Sequence, residues 1–301
     1  MEAPSTDAKL PAQPLPDAVS ASDETEKLTL VRARRGWVGI DWNELYQFRE
    51  LLFFMIWRDV KVKYKQAVLG MAWVVFVPII SVFIFYIFGA SAGFKEYLPA
   101  EVPYSAWLFA GMISWQYIAK CIGDGGLALI NQQALMSKIY LPRVFIPAAS
   151  VGSQFFDFMI MLVITMGIIT GFVIFTDLEF TSRMFLLPVM MLIMVMHGLG
   201  IALFFSALTV MYRDLRFLIP FAVQMGVWIS CVAIPSDIFG DKEWLLAFNP
   251  VAGVISGYRS ILVGTEWKWA QMATSVGFAP FILFLGAAYF RRVERRFADI
   301  V

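Results

Sequence analysis

Six stretches of the chain, 69–90, 103–119, 145–175, 185–211, 217–234 and 272–290, carry one Asp, Glu, Lys or Arg between them, Asp157. A helix that crosses a bilayer needs about 20 mostly apolar residues, because each backbone amide in hydrocarbon has to be satisfied within the segment. The pattern therefore predicts six membrane-spanning helices, the second short and the third long enough to tilt or protrude. Ahead of them, Asp41 and Glu44 stand at capping-box spacing, with an acid at the N-cap. A helix is predicted over 41–60. Leu45, Phe48, Leu52, Met55 and Ile56 fall within a sector of about 100° at helical spacing, and Asn43, Gln47 and Glu50 point elsewhere. Such a helix lies in the cytoplasmic interface, with Trp42, Tyr46 and Trp57 as headgroup-level anchors.

Two further segments are apolar without being spans. Over 123–140, Leu127, Leu129, Ile130, Leu135, Met136 and Ile139 are set among Asn131, Gln132, Gln133 and Lys138, which predicts one or two short helices ended by Leu141-Pro142. Their apolar positions have to bury against lipid headgroups or against another protein. The segment 235–271 holds an apolar run over 244–248, then Asn249-Pro250, then the half-apolar run 251–264, too short and too broken by glycine to span. A helical hairpin dipping into the outer leaflet fits, provided its broken backbone is buried in protein or lines a cavity.

Composition agrees with the bilayer: 59% of the 301 residues are hydrophobic and 16% charged, with a mean hydropathy of +0.70. A net charge of +1 gives no bulk attraction for nucleic acid. One His and two Cys exclude most zinc chemistry, His-based triads and a disulfide framework, so no metal site is expected. Lys and Arg concentrate before the first span, after the second and fourth, and in the C-terminal tail, whereas the alternate loops lean acidic. Both termini are therefore predicted to be cytoplasmic. Cys121 then lies near the inner face and Cys231 toward the outer one, so they should not pair. The start of the chain is rich in Pro, Ala, Ser and acids and reads as a disordered cytoplasmic tail, 1–35. The interface helix and a basic juxtamembrane segment follow over 36–68, and the transmembrane domain over 69–301.

A few polar positions invite chemistry. Asp157 sits inside the third span, where a hydrogen bond or ion pair to a neighbouring helix, with Lys120 or Arg143 as partner, is weighed against a proton or ion relay. His197 reads as a helix-to-helix hydrogen bond. Gly167 and Gly171 form a GxxxG pair, and Gly198, Gly200, Ala202, Ser206 and Ala207 supply small residues to the fourth span, permitting close helix packing. Phe217, Phe221, Gln224 and Trp228 share a sector of about 60°, and Trp73, Phe76, Phe83 and Tyr86 one of about 140°. Such stripes are commonly packing or lipid contact; a substrate-lining role is the sharper alternative, which Gln224 favours. The cluster Arg58, Lys61, Lys63 and Lys65 reads first as positive-inside topology with attraction to anionic lipid, and second as a guide for an anionic lipid-linked substrate. No phosphate-loop motif occurs, and no His, Asp and Glu stand at catalytic spacing, so the chain is not expected to be an enzyme.

The stretches Arg35-Gly36-Trp37, Phe48-Arg49-Glu50-Leu51 and Trp57-Arg58-Asp59-Val60-Lys61-Val62-Lys63-Tyr64-Lys65 through Leu69-Gly70 and Ala72-Trp73 resemble one family. Further matches are Lys138-Ile139-Tyr140-Leu141-Pro142-Arg143, Met211-Tyr212-Arg213-Asp214-Leu215-Arg216 and Asn249-Pro250-Val251-Ala252-Gly253. The chain looks like the membrane (permease) subunit of the type-2 ABC exporters that move lipid-linked polysaccharide: O antigen, capsule or teichoic acid. The resemblance implies an all-α polytopic protein with six transmembrane helices, both termini inside, an amphipathic interface helix, a cytoplasmic coupling helix within about 123–141, and short outer re-entrant gate helices within about 235–271. It implies a homodimer in the bacterial inner membrane, joined to two copies of an ATPase subunit that binds ATP and Mg, and an undecaprenyl-linked glycan as cargo. Leu135, Met136, Ser137, Lys138, Ile139 and Tyr140 would dock on that ATPase. The two aromatic stripes would line the channel, and Arg58, Lys61 and Lys63 would meet the lipid diphosphate. A related exporter of smaller lipids or drugs, a proton-coupled carrier built on Asp157, and a scaffold subunit without a path of its own are the rivals.

Overall fold

In the computed structural model, the structure describes residues 46–65, 70, 72–136, 141–176 and 178–294. All of them fall within one packed unit, Gly39–Val301. Every regular element among them is helical. The first, α1 (Arg49–Lys65), precedes α2 (Ala72–Ser91) and α3 (Tyr104–Lys120), whose last turn runs into a π-helical turn, Cys121–Gly125. Two single-turn helices, α4 (Ala128–Asn131) and α5 (Gln133–Met136), lead to α6 (Phe145–Phe175). Then come α7 (Leu187–Met211), α8 (Leu215–Ile229), a 3-10 segment Ser236–Phe248, α9 (Pro250–Leu262) and α10 (Trp269–Glu294).

Four helices among the described residues are long and apolar enough to cross a membrane: α2, α6, α7 with the 3-10 turn before it, and α10. The bent pair Ser236–Phe248 and Pro250–Leu262, which turns through 118°, makes a fifth if counted as one span. The six predicted spans are thus matched by four on length. The helices at the second and fifth predicted spans are shorter, α3 with 17 residues and α8 with 15.

The fifth predicted span stops early for a tertiary reason. Residues 230–234 leave the helix at Cys231, a non-glycine residue in the left-handed region at φ 52°. Their carbonyls are taken by side chains from elsewhere: Arg259 donates to Cys231 and Val232, and the Tyr104 hydroxyl donates to Ala233 at 2.9 Å. Those bonds compensate a conformation that costs on the order of 1–3 kcal/mol.

The apolar sector predicted for α1 is where the packing lies. Met55 is buried in one cluster with Phe145, Ile146 and Ala149 of α6, and Phe48, Leu52 and Ile56 pack against that cluster, as does Leu51 beside the sector, so this face meets protein rather than lipid; Leu45 lies outside the described residues. Phe53, Phe54 and Trp57 remain uncovered on the other side.

Close helix packing occurs at one of the two predicted small-residue sites. A Cβ on Gly286 of α10 would stand 2.1 Å from the Gly200 carbonyl oxygen, so α7 and α10 touch backbone to backbone. The GxxxG pair Gly167 and Gly171 meets nothing within 4 Å in this chain.

In the hairpin before α10 the second arm is enclosed, whereas no residue of the first, Ser236–Phe248, is buried. Asn249 caps α9 by accepting from the Val251 amide at 3.1 Å, with Pro250 in the first turn. Nearly all of α9 is then enclosed, from Ala252 to Leu262.

Candidate functional site

The eight stripe residues are all uncovered in the single chain. Trp73, Phe76, Phe83 and Tyr86 lie exposed along α2, and Phe217, Phe221, Gln224 and Trp228 along α8. The two helices meet through aromatic edges that the stripes did not include. Phe85 and Phe88 of α2 both pack edge-on against Trp228, with ring centroids 5.7 and 5.9 Å away. Phe85 and Phe88 fall outside the α2 sector singled out by periodicity, so helical spacing missed them. Tyr86 packs on Tyr104, which in turn stacks on Trp107.

The basic cluster does not act as one patch. Arg58 donates to Asp59 and to Gln132 Oε1, 2.8 Å away, tying α1 to the turn between α4 and α5. Lys61 lies 5.2 Å from the centroid of the Trp57 ring. Lys63 turns inward to donate to Gln154 and to Asp157.

Asp157 is the hub of a polar network. Its side chain is 3% exposed, and Oδ2 accepts from Lys120 Nζ at 2.8 Å and from Lys63 Nζ, while Oδ1 accepts from the Tyr64 hydroxyl. Lys120 is one of the two partners expected from the sequence. Arg143, the other, instead donates to the Glu294 carbonyl at 2.9 Å. Gln154 extends the network by donating to Asp124 at 2.7 Å. Three separate pieces of chain, α1, the end of α3 and α6, are therefore fastened at one carboxylate. Burial, and after it the Asp157 carboxylate, pushes the Tyr64 phenol far above its ordinary range and keeps it a neutral donor.

His197 is buried, and its Nδ1 stands 2.9 Å from the Ile193 carbonyl, a contact within α7 where a helix-to-helix bond was expected. Its Nε2 has no hydrogen-bond partner among the described residues. Leu135 and Met136 are half-buried against the cluster around Met55 and Phe145. Ser137, Lys138, Ile139 and Tyr140, predicted to dock an ATPase, lie outside the described residues.

Arg259, which no sequence pattern singled out, is 6% exposed. Its guanidinium lies 3.3 Å from the centroid of the Trp107 ring and donates to the carbonyls of Cys231 at 2.9 Å and Trp107 at 3.4 Å, as well as to Val232. Gly111 makes room for it, since a Cβ there would sit 2.5 Å from the guanidinium. Lys268 pairs with Asp237 at 2.6 Å and with Glu243 at 3.0 Å. Burial alone would lower its ammonium, but the two carboxylates outweigh that and hold it above the usual lysine range.

Among the described residues no group of His, Cys, Asp and Glu could hold a metal ion, and Cys121 and Cys231 are buried free thiols. The family profile described as ABC-2 type transporter matches residues 50–263, more than half of the chain. Three similar proteins are each named O-antigen export system permease protein RfbA. One from Klebsiella pneumoniae is 24% identical over 257 residues, covering 84% of this chain and 95% of its own. A second from Klebsiella pneumoniae is 23% identical, covering 88% and 99%. One from Myxococcus xanthus is 23% identical, covering 86% and 98%.

Proposed function

The chain belongs to the ABC-2 type transporter family, and from that premise we propose that it is the membrane subunit of an ATP-driven exporter of lipid-linked polysaccharide in the bacterial inner membrane. Two copies form the channel, and two separate ATPase subunits supply the energy, binding ATP and Mg. In this reading α3 and α8 join α2, α6, α7 and α10 to complete six passes with both termini cytoplasmic, and the bent hairpin ahead of α10 gates the outer end. The names of the similar proteins support O antigen as the class of cargo.

The observation that carries the proposal is the uncovered aromatic surface of α2 and α8, joined at Trp228. A second copy facing it would enclose a corridor of aromatic faces with Gln224 among them. Stacking on the CH-rich faces of sugar rings is tolerant of sequence, which suits a long polymer. Closure of the ATPases would push residues 131–140, and the Arg58 to Gln132 bond would pass that motion to α1. The shift from closed to open is then driven by nucleotide binding outside this chain. Arg58, Lys61 and Lys63 would attend the lipid diphosphate.

Trp228→Ala with Tyr86→Ala tests the corridor: surface polysaccharide should be lost while the complex with the ATPase still assembles. Surface polysaccharide that survives these changes removes the corridor, and surface polysaccharide that survives loss of the whole chain points to a smaller lipid or drug as cargo. Failure of any ATPase to co-purify with the chain, or labelling of Lys138 from outside the cell, sinks the proposal. A proton-coupled carrier built on Asp157 is disfavoured, because two lysines and a tyrosine of the same chain occupy that carboxylate.

A further inference from the structure

A cleft of about 240 Å³ opens beside Asp157, between the end of α1, the first turns of α2, and the facing sides of α3 and α6. Its two ends differ. Lys63, Lys120, Tyr64 and Gln154 line one end together with Asp157 itself, whereas Trp73, Val77, Pro78, Ile113, Phe158 and Met161 line the rest. A cationic mouth continuing into an apolar trough is the shape of a site for an anionic amphiphile. Bare phosphate would leave the trough unused.

The resting arrangement holds that mouth in reserve. A buried carboxylate needs one cation nearby, and Asp157 holds two ammonium groups and a phenol. Both lysine side chains are 31% exposed and so keep an open side toward the cleft. Lys120 uses one of its three N–H groups on Asp157 among the described residues, leaving donors for a ligand. Lys63 comes from α1, whose hold on the rest of the chain is one apolar face plus these polar ties.

We propose that the cleft binds the phosphate of a lipid and that Asp157 is the internal counter-ion this phosphate competes with. Lys63 exchanges the carboxylate for the phosphate, Lys120 bridges both, and the end of α1 is released from α6. This deepens the exporter reading and rests on it for the purpose of the release. It also narrows the basic cluster, because Lys63 lines the cleft whereas Arg58 is engaged by Asp59 and Gln132.

Full-length chain in detergent micelles, titrated with undecaprenyl phosphate, phosphatidylglycerol or inorganic phosphate and followed by native mass spectrometry, tests this. Asp157→Asn should tighten undecaprenyl phosphate binding at least about fivefold, and Lys63→Gln and Lys120→Gln should each weaken it by a similar factor. A carboxylate with only a structural role would, when replaced, leave binding unchanged or weaken it, and either result in folded protein overturns the proposal. Should Asp157→Asn not fold, amine acetylation of the wild type decides. Undecaprenyl phosphate should slow modification of Lys63 and Lys120 several-fold and leave Lys95, exposed beyond the end of α2, unaffected; equal protection of Lys95 overturns the site. Equal binding of phosphatidylglycerol supports the cleft as a bilayer-lipid site and removes its link to cargo. The binding result stands even if no ATPase associates with the chain, so the two readings fail separately.

Discussion

Arg259 lies flat on Trp107, with its guanidinium carbon 3.3 Å from the ring centroid, and from there reaches the carbonyls that close the reversal after α8. One side chain of α9 thus joins α3 to the C-terminal end of α8. Arg259→Met should leave those carbonyls without their donor and lower stability by about 3 kcal/mol. Arg259→Lys should recover only part of the loss, since an ammonium cannot stack and fork at once. Thermal unfolding in detergent micelles reads both, and an unchanged midpoint for Arg259→Met would contradict this role.

Gly286→Ala should separate α7 from α10. The added Cβ meets a backbone oxygen at 2.1 Å, which no rotamer change relieves. The expected loss is about 1–3 kcal/mol. Gly167→Ala is the control, because nothing lies within 4 Å of it. Equal effects of the two substitutions on the unfolding midpoint would refute the packing.

Lys268 makes the hairpin before α10 sensitive to alkali. Asp237 and Glu243 hold its ammonium above the ordinary value, so the stabilisation is complete below about pH 10.4, the usual lysine pKa, and disappears as pH climbs through the raised one. The unfolding midpoint should fall over that range, and Lys268→Met should flatten the fall while costing about 1 kcal/mol near neutrality.

Arg58 and Gln132 should be energetically coupled. Their 2.8 Å bond is the described side-chain hydrogen bond between α1 and the turn joining α4 to α5. A cycle of Arg58→Ala, Gln132→Ala and the double change should return a coupling of about 1 kcal/mol. Strict additivity would mean that motion of α4 and α5 does not reach α1 by this route.

The longest helices were legible because their signal is local. A run such as 145–175 has to satisfy its own backbone in lipid, and α6 spans those same residues. The apolar sector of α1 was equally legible, since Leu52, Met55 and Ile56 repeat at helical spacing whatever covers them. Small residues at Gly200 and at Gly167 looked alike, and only the approach of Gly286 to Gly200 separated them.

What the order of residues determined by itself is therefore which segments are apolar helices and where the basic loops lie, properties written within a few turns of chain. The tertiary structure decided which polar groups meet. Lys63 and Lys120, 57 positions apart in number, share Asp157, and Arg259 ends α8 from a helix beyond the next turn. Such pairings depend on the long-range folding of segments past one another, and a buried charge takes whichever partners that folding brings to it.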